Sequence, residues 1–160
     1  MPTLPELLAE DVQEIDAVLK DFLAKSEATV ALITAEGGFL VAQQGDSTRF
    51  DCVTLGALSA NAFNAAQAIS TLLDDAGFSN IYQQGARFSL LASAIDGYNT
   101  LVVLFPSHLT VGAVKFFAAP ALVAIARQFK VAAGRPSNKG IDLAVLNLTD
   151  STELFRRKSA

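Results

Sequence analysis

The chain has 160 residues, of which 51% are apolar and 18% are charged, and its formal net charge is −4. A chain of this length fits one globular domain, and its apolar content excludes a disordered protein. Cys52 is the single cysteine, which excludes an internal disulfide and a cysteine-based zinc cluster. The acidic balance, with no basic stripe on a predicted helix or strand, argues against nucleic-acid binding.

Charge is distributed unevenly along the chain. Residues 1–27 carry seven acids and two bases, a net of −5, whereas residues 127–160 carry seven bases and three acids, a net of +4. The first twelve residues lack the basic segment and apolar run of a signal peptide. We therefore expect a cytoplasmic protein.

The first elements predicted are a helix and a hairpin. Apolar residues recur at helical spacing over about Glu6–Lys25, and Pro5 suits the first turn of that helix. Two β-rich runs, Thr29–Ala35 and Phe39–Gln43, flank a glycine-containing turn, which predicts a hairpin.

The segment Cys52–Leu73 runs for twenty-two residues without Asp, Glu, Lys or Arg. It is rich in alanine and follows Asp51, a plausible N-cap, so it is predicted to be helical. A helical wheel places one apolar stripe toward the core: Leu55, Leu58, Ala62, Ala65, Ile69 and Leu72. The opposite face then carries Ala60, Phe63, Gln67 and Thr71, flanked by Gly56, Ser59, Ala66 and Ser70.

This helix is expected to have a partner on its second face, because surface helices normally turn charged residues to water. A membrane span is one alternative, but seven of the positions are polar, including Asn61, Asn64 and Gln67 near the middle. Complete burial in one large core is another alternative. Contact with another protein is the interpretation we prefer.

Three strands and a last helix are predicted next. The strands cover Phe78–Gln84, Phe88–Ile95 and Thr100–Phe105, separated by turn sequences. The helix covers about Thr110–Lys130 and contains Pro120, so it either bends there or begins near Ala118. The segment 131–160 forms a linker and an apolar, basic tail, and the domain proper is predicted to occupy residues 1–130.

A catalytic set is not expected. His108 is the single histidine and falls in a predicted loop, and Cys52 lies beside Asp51, which opposes thiolate formation. Gly37 and Gly38 join two strands and do not open a helix, so they do not form a phosphate loop. No nucleotide-binding, metalloprotease or serine-hydrolase motif occurs. We expect no enzyme activity, no cofactor and no metal site.

The predicted order α-β-β-α-β-β-β-α resembles the roadblock (dynein light chain) family over roughly residues 6–130. The similarity is carried by Tyr82–Arg87, Thr100–Phe105 and Leu109–Lys115, which match the turn, fifth strand and last-helix entry of its bacterial branch. Ser59–Ala62 is similar to a G-N-x-A segment of the central helix. Two departures are Pro120 in the last helix and Phe63 where a smaller residue is usual.

The resemblance implies an α+β fold with a five-stranded antiparallel sheet, one helix on one face and two on the other. It also implies a homodimer in which third strands pair and central helices lie antiparallel, extending the sheet across the dimer. The dimer interface would then include Gly56, Ser59, Ala66, Ser70, Phe78, Asn80 and Tyr82.

The bacterial branch consists of gliding-motility regulators that act on a Ras-like polarity GTPase. The resemblance therefore implies a cytoplasmic, non-catalytic activator that binds the GTP form and stimulates hydrolysis without donating an arginine finger. The residues expected to contact the GTPase are Ala60, Phe63, Asn64, Gln67, Thr71, Leu154, Phe155, Arg156 and Arg157. A non-activating adaptor dimer and a small-molecule sensor domain remain as alternatives, and membrane insertion is not expected.

Overall fold

The computed structural model describes residues 4–136. Three helices, α1 (Ala9–Ser26), α2 (Cys52–Leu72) and α3 (Val111–Ala133), accompany five strands. The strands are β1 (Val30–Thr34), β2 (Leu40–Gly45), β3 (Asn80–Gln84), β4 (Phe88–Ala94) and β5 (Thr100–Pro106). The element order is the predicted one, with a single 3-10 turn between β1 and β2.

The five strands form one antiparallel sheet in the order β2-β1-β5-β4-β3. β5 is the central strand and β1 lies beside it, which agrees with the nearly continuous apolar sequences and the burial of both strands. β2 and β3 are the two edges. The arrangement leaves β3, the first strand after α2, without a strand neighbour on one side among residues 4–136.

Each face of the sheet builds its own core. Successive side chains of a strand point to opposite faces, so Ala31 and Ile33 pack with α1 and α3, whereas Val30 and Leu32 pack toward α2. The predicted fold class, with one helix on one face and two on the other, is confirmed.

The helix ends follow from local chemistry. α2 begins after Asp51, whose carboxylate accepts a hydrogen bond from the Thr54 backbone N–H at 3.1 Å. The hydrogen bond from the Thr54 hydroxyl, together with this capping bond, lowers the pKa of Asp51. α1 begins at Ala9, later than predicted, so Pro5 precedes the helix and does not open it.

Pro120 lies inside a continuous helix, since α3 runs from Val111 to Ala133. The alternative that the helix begins near Ala118 is therefore wrong. Thr110 caps the helix by accepting a hydrogen bond from the Ala113 backbone N–H at 3.3 Å. By length and composition α3 is also apolar enough to cross a membrane, but Val114, Ala118 and Ile125 bury one face of it against the sheet.

A cluster of polar side chains around the buried Asp11 ties α1 to the end of α3. The Asp11 carboxylate accepts hydrogen bonds from the Leu8 backbone N–H, the Gln128 amide and the Arg135 guanidinium. The hydrogen bond from Arg135, assisted by the other two, lowers the pKa of Asp11 to about 2. Glu10 adds a second ion pair to Arg135 at 2.9 Å. The cluster fixes where the chain leaves α3.

Candidate partner-binding surface

The orientation of α2 is set by its contacts with the sheet. Phe63 is only 7% exposed and belongs to the same core cluster as Val30, Leu32 and Val102. The other buried residues of the helix are small: Cys52, Gly56, Ser59, Ala60 and Ser70. They share one side of the helix with Phe63, because 52, 56, 59, 63 and 70 recur by steps of three, four and seven. The inward face of α2 is therefore the one with small residues.

Small inward residues let α2 approach β1 closely. A Cβ added to Gly56 would lie 3.0 Å from the Cγ2 of Thr34, and one added to Gly38 would lie 3.0 Å from the Cα of Ala57. Gly38 also has a φ of +84°, which side chains rarely adopt. These two glycines explain how a helix with few large inward side chains packs closely on β1 and on the 3-10 turn that follows it.

The apolar stripe predicted to face the core points outward instead. Leu72 is 84% exposed, Leu58 62% and Ile69 52%, and Ala65 is also exposed. Only Leu55 of this set packs against the α2-side core, while Ala62 is half-buried. The predicted wheel orientation was wrong, because close packing on the sheet selects small residues and the large ones remain outside.

The predicted GTPase contacts divide into three groups. Ala60 and Phe63 are buried within the chain, so their side chains are not available on the outer face. Asn64 and Thr71 are exposed, whereas Gln67 is half-buried. Leu154, Phe155, Arg156 and Arg157 lie outside the described residues.

Gln67 has a structural task. Its side-chain amide donates to the Phe78 carbonyl at 2.5 Å, and its side-chain carbonyl accepts from the Phe78 backbone N–H at 3.1 Å. Both ends of the amide are thus used to join α2 to a residue just before β3. Gln67 positions the edge strand relative to the helix.

The predicted dimer residues are also divided. Gly56, Ser59 and Ser70 are buried within the chain itself, so they do not lie on its surface. Ala66 and Phe78 are half-buried, while Asn80 and Tyr82 lie on edge strand β3. Asn80 accepts a hydrogen bond from the Ser93 hydroxyl at 2.6 Å, and Tyr82 stacks on Phe105 with 40% of its surface exposed.

Two incompletely covered surfaces therefore meet near α2. The first is its outward apolar stripe, here called the α2 stripe: Leu58, Ala62, Ala65, Ile69 and Leu72. The second is the sheet itself, because Ile81, Phe88 and Leu90 pack toward the α2-side core yet remain half-buried. Exposed apolar side chains gathered on one helix face are typical of a protein–protein contact.

The signal that could have revealed the true orientation was present in the sequence. Cys52, Gly56, Ser59, Phe63 and Ser70 follow helical spacing as well as the leucines do. Because one uncharged helix carries both stripes, the space between the helix and the sheet decides which stripe faces inward. Choosing the inward stripe by hydrophobicity alone gave the wrong face of α2.

Burial, with the nearby carboxylates of Asp51 and Asp46, raises the pKa of the Cys52 thiol, which makes it a poor nucleophile. Residues 4–136 contain no group of three or more His, Cys, Asp or Glu side chains arranged to hold a metal ion.

One cavity of about 530 Å³ opens beside α2, between Asn64 and the β4–β5 turn. Glu36, Asp96 and Tyr98 line it. The Asp96 carboxylate already accepts hydrogen bonds from the Tyr98 and Asn99 backbone N–H groups and the Asn99 amide. The cavity lies at the surface, and the main candidate surface remains the α2 stripe with β3.

No protein-family model matches the chain, and no curated protein matches its sequence. Solved structures do match it. Myxococcus xanthus MglB has a TM-score of 0.75 and 22% identity, covering 83% of this chain and 99% of that chain. Gliding protein MglB from Thermus thermophilus has a TM-score of 0.73 and 28% identity, covering 82% of this chain and 98% of that chain.

A roadblock/LC7 domain from Streptomyces avermitilis shares the architecture at lower similarity. Its TM-score is 0.65 and its identity 13%, covering 72% of this chain and 97% of that chain. The structural neighbours thus include MglB gliding proteins and roadblock/LC7 domains, and the resemblance seen in the sequence is confirmed.

Proposed function

We propose that this chain is a homodimeric regulator that binds a Ras-like small GTPase in its GTP form and stimulates GTP hydrolysis, in cell-polarity or motility signalling. The observation that carries the proposal is the exposed, uncharged outer surface of α2 on an MglB-like fold. We infer that the protein is cytoplasmic and that it acts as a regulator without being an enzyme itself.

The dimer contact is assigned to the α2 stripe and β3. Unpaired backbone groups on an edge strand are a template for another strand, and β3 is such an edge. A two-fold contact places the same surface on both subunits, so a helix without charge avoids repelling its twin. Ala62 and Ala65 separate Leu58 from Ile69 and allow the two helices to approach to about 8–10 Å.

The GTPase contact is assigned to the other exposed flank of α2, here called the polar flank: Asn61, Asn64, Ala68 and Thr71. Asn64 and Thr71 are among the GTPase contacts predicted from the sequence. Asn61 and Ala68 are exposed and take the place of the buried Ala60 and Phe63. Their short neutral side chains suit a surface that docks against a folded protein. The tail residues Leu154–Arg157 are a second proposed contact.

Catalysis by a donated arginine from α2 is excluded by its sequence, because the helix contains neither Arg nor Lys. An arginine finger contributes about 10³–10⁵ in rate. The stimulation proposed here must instead come from remodelling the GTPase so that its own groups are positioned for hydrolysis.

The test measures GTP hydrolysis by the Ras-like GTPase of the same organism with and without this protein. We expect at least tenfold stimulation, and loss of most of it in Ala68→Arg, which places a long cation on the polar flank. Ala119→Arg, on the exposed face of α3, is the matched control and should retain stimulation. Absence of binding to the GTP-loaded form would refute the proposal, whereas binding without acceleration would select the adaptor alternative.

A further inference from the structure

The cavity beside α2 is large enough to hold a small organic molecule. Its volume of about 530 Å³ lies within the range of roughly 300–1,000 Å³ that is usual for ligand sites. Four parts of the chain form its walls: the 3-10 turn after β1, the middle of α2, the segment before β3 and the β4–β5 turn. None of its lining residues belongs to the α2 stripe or to β3, so the cavity is separate from the proposed dimer contact.

The floor of the cavity is apolar except for one hydroxyl group. Ala60 and Phe63 of α2 are 6% and 7% exposed, and Thr100 of β5 is 8% exposed. Because side chains alternate along a strand, Thr100 points toward the α2 side of the sheet, as Val102 does.

The Thr100 hydroxyl has no partner of its own. Asp96 and Asn99 make the side-chain hydrogen bonds of the adjoining turn, and these leave the Thr100 hydroxyl without a hydrogen bond among residues 4–136. A polar group that is more than nine-tenths buried and unpaired costs free energy. A polar atom of a molecule in the cavity would remove that cost.

The rim of the cavity is acidic. Glu36 follows β1 and Asp96 lies in the β4–β5 turn, and both line the opening. Among residues 4–136, no Lys, Arg or His lines the cavity, and neither carboxylate belongs to an ion pair. Asp96 Oδ1 accepts hydrogen bonds from Tyr98 and Asn99, whereas Oδ2 accepts one, from the Asn99 amide at 2.8 Å. Oδ2 therefore retains capacity for a further donor.

Aromatic rings accompany the two carboxylates. Phe63, Phe78 and Tyr98 all line the cavity, and Tyr98 is 50% exposed. A cation is attracted both to a carboxylate and to the face of an aromatic ring, whereas an anion would meet two negative charges. The apolar floor favours a ligand with an apolar body. The cavity thus selects a cationic group attached to an apolar framework.

We propose that this cavity binds a small organic cation, a protonated amine or guanidine attached to an aromatic or aliphatic body. The cationic group lies at the rim beside Glu36 and Asp96. The body covers Phe63, and a polar atom of the body forms a hydrogen bond with the Thr100 hydroxyl. Asn64 lines the same cavity and belongs to the polar flank, so the bound ligand lies beside the proposed GTPase contact.

Titration of the full chain with tyramine tests the site without any GTPase, so its result is independent of the proposed function. Tyramine carries a protonated amine, an aromatic body and a hydroxyl at the opposite end. Amide signals in NMR spectra should shift saturably for residues 35–37 and 96–100, with a dissociation constant of about 1 mM or lower. Tyrosol, in which a hydroxyl replaces the amine, should bind about fivefold more weakly. Absence of saturable shifts with tyramine, or equal affinity for the two compounds, would overturn the proposal.

A pair of carboxylate variants tests the rim. Glu36→Gln removes one rim charge and should weaken tyramine binding about threefold. Glu14→Gln removes the same charge from the exposed surface of α1, on the other side of the sheet, and should leave the affinity unchanged. Both side chains are exposed, so both variants should fold. Equal affinities of these two variants would show that overall charge, and not the cavity, attracts the cation.

A pair of hydroxyl variants tests the floor. Thr100→Val keeps the shape of the side chain, removes its hydroxyl and should weaken tyramine binding about threefold. Thr34→Val is the matched control, because the Thr34 hydroxyl is also unpartnered but is fully buried and does not line the cavity. Circular dichroism checks that both variants are folded. If the two variants bind tyramine equally, the ligand does not reach Thr100 and the assignment of the floor is wrong.

Discussion

Truncation of Phe63 tests which side of α2 faces the sheet. In the structure this ring is 7% exposed and packs among Val30, Leu32 and Val102. Phe39 offers a matched control, since it undergoes the same chemical change but is 74% exposed. If Phe63 instead projected from the outer face of α2, the two substitutions would change the free energy of unfolding by similar amounts.

The magnitude follows from burial. Phe63→Ala removes a buried aromatic ring and leaves a cavity, which typically lowers the free energy of unfolding by about 3–5 kcal/mol. The inward neighbours Gly56, Ser59 and Ala60 are small and belong to a helix held by capping and close contacts, so little collapse into the cavity is expected. Phe39→Ala should change the free energy of unfolding by about 0.5 kcal/mol or less.

Urea unfolding followed by circular dichroism measures both variants. The slope with denaturant should be unchanged, so the shift in midpoint reports stability. Each transition is measured at two protein concentrations, because the proposed dimerisation would make apparent stability depend on concentration. If Phe63→Ala destabilises no more than Phe39→Ala, the orientation of α2 described here is wrong. Phe63 would then lie on the outer face of the helix, as predicted from the sequence.

Three further outcomes are expected. If the proposed dimer forms through the α2 stripe, Ile69→Lys should give a monomer in sedimentation, because it places a charge in that stripe; a variant that stays dimeric would refute the assignment. The pKa of Asp11 is lowered from 3.8 to about 2, so its stabilisation is complete above about pH 4 and is lost as pH falls toward 2; acid unfolding of Asp11→Asn should lack this loss. Gly38→Ala should lower stability by about 1–3 kcal/mol in thermal unfolding, whereas Gly97→Ala, which has open space around its Cβ, should be nearly neutral.

The order of elements was predictable because each depends on local chemistry. Asp51 before an alanine-rich run marks the start of α2, and glycine-containing turns separate the strands. Alternation and apolar runs identified all five strands within a few residues of their ends. The continuous course of α3 through Pro120 was not predictable, since the packing of Val114, Ala118 and Ile125 holds the helix together across the missing hydrogen bond.

The sequence by itself determined that α2 carries no charge, that it has two apolar or neutral stripes, and that it cannot donate an arginine to a partner. Which stripe is inside was decided only by the tertiary structure. The close approach of Gly56 to Thr34 leaves room for small residues and one ring, Phe63, above the sheet, and this turns Leu58, Ile69 and Leu72 outward. Hydrophobicity ranks residues by their affinity for an interior, but the depth of that interior is set by elements distant in sequence.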